Sequence, residues 1–116
     1  MLFRSDSDPG VALIALGRLA SEGKESEQKA ARDKLLEIAK SDDAEANRAM
    51  GELARLGDQR VVTLLEKQLG AENAFARGYA ARNLVALRQF AHAAKALADT
   101  DAYVRASTAC AILRKR

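Results

Sequence analysis

The stretch Asp42…Leu53-Ala54-Arg55-Leu56-Gly57-Asp58 decides the fold, because the chain writes it again. Asn73…Leu84-Val85-Ala86-Leu87-Arg88-Gln89 follows it 31 residues on, and Asp101…Ile112-Leu113 follows that after a further 28. Each copy starts with a side chain able to cap a helix, and a large aliphatic residue stands eleven positions later. Alanine-like residues fill the face between. Upstream, Leu16-Gly17-Arg18-Leu19 matches Leu53-Ala54-Arg55-Leu56 at a distance of 37, the surplus falling in the loop around residues 21–28. A helix–turn–helix unit of about 30 residues cannot bury its apolar face alone; stacked neighbours bury it for one another.

Working outward, the pattern predicts seven helices. Asp8 caps the first and Pro9 suits its first position, and Val11 to Ala20 carry it to Ser21-Glu22-Gly23. The second runs from about Ser26 to Lys40, with Ala31, Leu35, Ile38 and Ala39 as its apolar stripe. Ser41-Asp42-Asp43 caps a third over Ala44 to Leu56, which Gly57 closes. The fourth, about Gln59 to Leu69, turns Val62, Leu65 and Leu69 inward. Asn73 caps a fifth to about Arg88, a short sixth spans Phe90 to Ala98, and Asp101 opens a seventh. Short turns between them imply antiparallel neighbours.

Composition agrees. Of 116 residues, 25 are alanine and 15 leucine, while Val, Ile and Thr together number 11, which excludes an all-β fold. One domain over residues 1–116 suits this length. No stretch approaches a membrane span, and Met1-Leu2-Phe3-Arg4 is charged too soon for a signal peptide. A single cysteine excludes a disulfide framework and fits a reducing, cytoplasmic location. The net charge of +3 hides an asymmetry: residues 1–58 carry 9 basic and 12 acidic side chains, residues 59–116 carry 10 and 4.

These residues resemble HEAT-like repeats of the short bacterial type found in bilin-lyase-related and scaffold proteins. Asp101, Val104 and Arg105 match the opening of that pattern; Leu53, Arg55, Leu56, Gly57, Asp58, Val62 and Leu65 match its turn and second helix. Asn73 and Arg77 keep the cap and the arginine with Ala76 at the valine position, whereas Glu45-Ala46 departs from it. The resemblance implies a right-handed α-α superhelix of about three and a half helix pairs, with repeats at 8–40, 41–70, 71–98 and a half repeat at 99–116. It further implies a protein-binding scaffold or adaptor whose groove is lined by the second helix of each pair. Arg60, Thr63, Lys67, His92 and Lys95 are the candidate polar contacts there. Asp101 and Arg105, four apart, are expected to pair, and Arg77 to reach the cap of the adjacent repeat.

Little points to catalysis. His92 and Cys110 are single and fall on different helices, and no Asp/Glu/His spacing suggests a metal. Cys110 reads as a small hydrophobe among Ala106, Ala109 and Leu113, and Phe75 and Phe90 as packed. Asp6-Ser7-Asp8-Pro9-Gly10 looks like the start of a calcium loop, yet Gly17 stands where the twelfth-position Glu belongs, so capping explains it better. The expectation is a non-enzyme without cofactor. A different class, phosphate-backbone binding, would rest on Arg77, Arg82, Arg88, Lys95 and Arg105; a third is a helper subunit of a bilin lyase.

The ends carry the anomaly. In the last helix Val104, Thr108, Ala111 and Ile112 can face inward, leaving Tyr103, Ala106, Cys110 and Leu113 as a second stripe. Tyr103 and Leu113 are therefore candidate contacts with a partner protein or a second copy of the chain. The first helix is also apolar nearly all round, and Met1, Leu2 and Phe3 could fold back over it.

Overall fold

The computed structural model of the chain describes residues 9–41 and 44–115. Expectations for Met1, Leu2, Phe3, Asp6, Asp8 and the Asp42 cap lie outside them. Among the described residues every regular element is helical, and there are seven helices. They are α1 (Pro9–Glu22), α2 (Glu25–Ala39), α3 (Glu45–Arg55), α4 (Val62–Gln68), α5 (Ala74–Ala86), α6 (Phe90–Ala93) and α7 (Ala102–Lys115). A 3-10 turn over Gln59–Val61 leads into α4, and another over Ala94–Ala98 prolongs α6. The all-α expectation holds, and the boundaries shift only slightly.

Local chemistry explains the boundaries. Asn73 Oδ1 accepts from the Phe75 and Ala76 N–H groups at the start of α5, and Asp101 Oδ1 accepts from Tyr103 and Val104 at the start of α7. These two caps stand 28 residues apart, at positions that the sequence aligns. The start of α2 falls one position earlier than expected, because the Lys24 N–H donates to Glu27 Oε1 at 2.8 Å. At the other end, α3 and α5 close alike. Asp58 N–H donates to Leu53 O and Gly57 N–H to Ala54 O; at the equivalent positions after α5, Gln89 N–H donates to Leu84 O and Arg88 N–H to Val85 O. Both are Schellman closures, with Gly57 at φ 77° and Arg88 at φ 59°.

The packing follows the chain. α2 packs between α1 and α3, α4 on α5, and α6 with its 3-10 extension on α5 and α7. The odd-numbered helices also touch in sequence: α1 on α3, α3 on α5, α5 on α7. The molecule measures 48 × 26 × 22 Å. Its main core runs from Leu13 to Ala93, and a smaller cluster joins Ala81, Ala96 and Val104 at the α7 end, with Leu69 packed on both. α3 buries Ala46, Ala49, Met50, Leu53 and Ala54, and α5 buries Gly78, Ala80, Ala81, Leu84 and Val85; the last four of each fall on the same positions 31 residues apart. Leu35, Leu65 and Val61 fill the space opposite.

The first copy needs a new register. Leu13, Gly17 and Ala20 are the buried positions of α1, and they fall on Ala46, Met50 and Leu53 at a shift of 33. The resemblance of Leu16-Gly17-Arg18-Leu19 to Leu53-Ala54-Arg55-Leu56 is thus one turn out of phase with the packing. Leu19 is exposed and Leu16 half-buried, and Val11 and Ile14 also face solvent. α1 is apolar nearly all round in sequence, yet it buries one narrow stripe.

Candidate docking surface

α5 places Phe75, Tyr79 and Arg82 at i, i+4 and i+7, on one side of the helix and away from its buried quartet. The rings of Phe75 and Tyr79 stack with centroids 6.4 Å apart, and the Arg82 guanidinium sits 6.0 Å from the Tyr79 centroid. Arg82 Nη1 also donates to the Tyr103 hydroxyl at 3.2 Å, which carries the ladder across to α7. Gly78 makes that crossing close: a Cβ there would stand 3.4 Å from Tyr103 Cε2. On the other side the Tyr79 hydroxyl occupies the space a side chain at Gly51 of α3 would need. Phe75, expected to be packed, is 61% exposed. The α5 face turned to the core is occupied by Gly78, Ala80, Ala81, Leu84 and Val85, and Phe75 falls on the opposite side of the helix.

From Tyr103 the surface continues along α7. Tyr103, Ala106, Cys110 and Leu113 are all exposed, Leu113 to 68%, while Val104 and Thr108 are fully buried and Ala111 and Ile112 half-buried. Cys110 is therefore a free surface thiol and not a core residue. A shallow cavity of about 370 Å³ lies over Tyr103, Ala106 and Cys110, flanked by Arg82 and Arg114. Large exposed apolar side chains flanked by arginine are what protein interfaces concentrate at their centres.

The candidate contacts on the second helices have a different fate. Arg60 is spoken for: its Nε and Nη2 grip the Asp58 carboxylate, and Nη1 donates to Asp33 Oδ1 of α2 at 2.8 Å. The Arg60 guanidinium beside them holds both carboxyl groups below the usual carboxylate range, and Asp58 raises Arg60 in turn. His92 and Lys95 come together on Glu66 of α4, His92 through Nδ1 and Lys95 through Nζ at 3.1 Å. That hydrogen bond from Lys95 is the main reason the Glu66 carboxyl is lowered. Gln59 and Gln89 share a further hydrogen bond at 2.9 Å. Thr63 and Lys67 are exposed.

The arginines weighed for phosphate are mostly engaged within the chain. Arg77 grips Asp99 through Nε and Nη2 at 2.9 and 3.0 Å and donates Nη1 to the Ala71 and Glu72 carbonyls. The pair is largely buried, at 15% and 10% exposure. It lowers the Asp99 carboxyl and raises Arg77. Arg105 Nη1 donates to the Asp99 carbonyl and not to Asp101, whose carboxylate is used as the cap; the expected Asp101–Arg105 pair is replaced. The Arg105 bond repeats, in the next copy, the one from Arg77 to Ala71. Among these cations Arg88 is exposed at the close of α5.

The sequence singles out Tyr103 and Leu113, which are exposed, but not Phe75 or Tyr79, and it names Arg82 only for phosphate. Their i, i+4, i+7 spacing was the available signal. Among the described residues no group of three or more His, Cys, Asp or Glu side chains could hold a metal, and no helix is long and apolar enough to cross a membrane. Compared with known proteins, the chain matches no family model, no curated protein and no solved structure.

Proposed function

We propose that the chain is a protein-docking module built as a short solenoid of HEAT-like helix pairs. The matched Schellman closures, the matched caps and the four core positions recurring from α3 to α5 support the repeat reading. The elongation to 48 Å along one axis supports stacking over closure around one centre. Docking is carried by one observation: the surface Phe75–Tyr79–Arg82–Tyr103–Leu113, in which Phe75, Tyr103 and Leu113 are exposed and Tyr79 and Arg82 lie half-buried between them, apolar and aromatic with arginine within it. The reading is of a binding scaffold or adaptor without catalysis. The ridge of second helices offers Thr63 and Lys67 as secondary contacts, since Arg60, His92 and Lys95 already have partners in the chain.

The test is affinity capture with the wild-type chain and with Tyr103→Glu/Leu113→Lys, both checked by circular dichroism. Both side chains are exposed, so the helical signal should be unchanged, while specifically captured proteins should be lost from the double variant. Identical capture by the two would sink the assignment of this surface. The nucleic-acid alternative predicts salt-dependent elution from heparin that depends on Arg82 and Arg105. Internal engagement of Arg77, Lys95 and Arg105 weighs against it.

A further inference from the structure

Between Asn73 and Lys115 the chain holds seven cationic side chains and two acidic ones, Asp99 and Asp101. Neither acid is available to a partner in the ordinary way. Asp99 is clamped by Arg77 and accepts from the Asp101 N–H, and Asp101 caps α7. The helices α5 and α7 themselves carry Arg77, Arg82, Arg105, Arg114 and Lys115 and no acid at all. The stripe Tyr103, Ala106, Cys110 and Leu113 is therefore an apolar track with cations alone on the helices that frame it.

We infer that this track seats an amphipathic helix of a partner protein whose apolar face is flanked by Asp and Glu; the inference rests on the docking reading above. The spacing i, i+3, i+7, i+10 on α7 is the pattern one helix presents to another. The cavity between Arg82 and Arg114 takes one aliphatic or aromatic anchor of that helix, over Tyr103, Ala106 and Cys110. Acidic flanks then meet Arg82 and Arg114 across the rim, which steers encounter and selects against basic partners. The same charge argues against a second copy as the occupant. A two-fold pairing of this face would set Arg82, Arg114 and Lys115 against themselves with no acid to compensate.

A displayed library of 18-residue helices tests this, with leucine fixed at the i, i+3, i+7 and i+10 positions and every polar position free among Glu, Gln and Lys. It is selected on the wild-type chain and counted again on Tyr103→Glu/Leu113→Lys and on Cys110→Glu, a milder variant should the first not fold. The expected winners are rich in Glu. They bind either variant at least tenfold more weakly and lose about tenfold in affinity between 50 and 500 mM salt. Winners rich in Gln or Lys that still depend on Tyr103, Leu113 or Cys110 would overturn the acidic partner while keeping the docking surface. Winners indifferent to both variants, or no winners, would overturn both. Sedimentation velocity should show a monomer; a dimer dissolved by Leu113→Lys would replace the partner helix with a second copy.

Discussion

The two middle hairpins, α3 with α4 and α5 with α6, share a core and differ in how they are fastened. Four buried positions of α3 recur in α5, and both helices end in the same pair of backbone hydrogen bonds. Their arginine–aspartate clamps do not recur. The first hairpin is tied backwards, through Arg60 to Asp58 and to Asp33 of α2. The second is tied forwards, through Arg77 to Asp99 at the threshold of α7. Ala46 stands where Arg77 would fall and Ala91 where Arg60 would, so neither clamp could be copied. Apolar packing recurs from α3 to α5, whereas neither arginine–aspartate clamp does.

If the core is the shared part, the two hairpins should respond equally to its loss. Leu53 and Leu84 are equivalent and both fully buried. Leu53→Ala and Leu84→Ala should each cost about 3 kcal/mol, by lost transfer energy and a cavity among small neighbours that cannot collapse into it. Urea unfolding followed by circular dichroism reads this. The transition should remain single in both variants, because each hairpin depends on the other for burial. A second transition in one of them would divide the molecule in two.

The fastenings of both hairpins should respond to pH. Asp33, Asp58 and Asp99 all have carboxyl groups lowered by a bound arginine. A folded-state value below the unfolded one contributes stability that is present above the unfolded value, near 4, and is lost as pH falls through the folded value. The urea midpoint should therefore change little from these groups between pH 7 and 5 and fall below about pH 4. In Asp99→Asn the forward clamp is already gone, so its deficit against wild type should be largest at neutral pH and should close as pH falls toward 2. A deficit that persists unchanged at pH 2 would mean that Asp99 matters for its turn and not for its charge.

Where the sequence was legible, it was so for physical reasons that can be named. Caps at Asn73 and Asp101, the glycine at 57 and the leucine spacing all act within a few residues, so helix ends and the match between the second and third copies could be read directly. What escaped depends on neighbours distant in the chain. Arg60 meets Asp33 and Arg77 meets Asp99, 27 and 22 residues away, and nothing local marks either partner. An aromatic residue in an alanine-rich helix suggests a core, but Phe75 stands opposite the buried face of Ala80, Ala81, Leu84 and Val85. The α1 register failed for a related reason. Its five large aliphatic residues, Val11, Leu13, Ile14, Leu16 and Leu19, outnumber its three buried positions, so identity could not say which would be inside.

The smallest effect expected is also the one that separates the hairpins by a single residue. Gly57 and Arg88 occupy the same closing position, both at positive φ, where a side chain is strained and glycine is not. Beyond its two chain neighbours no heavy atom lies within 4 Å of a Cβ built at Gly57, so a substitution there reports the backbone and not a clash. Gly57→Arg should cost about 1 kcal/mol, and Arg88→Gly should gain somewhat less, because glycine also loosens the unfolded chain. The double exchange should fall close to wild type, since the two positions share no partner in the bonds that close them. Urea midpoints of the four proteins decide this. Should Arg88→Gly destabilise instead, the Arg88 side chain must make a contribution that outweighs its strain. The two closures would then be equal in geometry but not in energy, and the repeat would extend to backbone shape without extending to the forces that hold it.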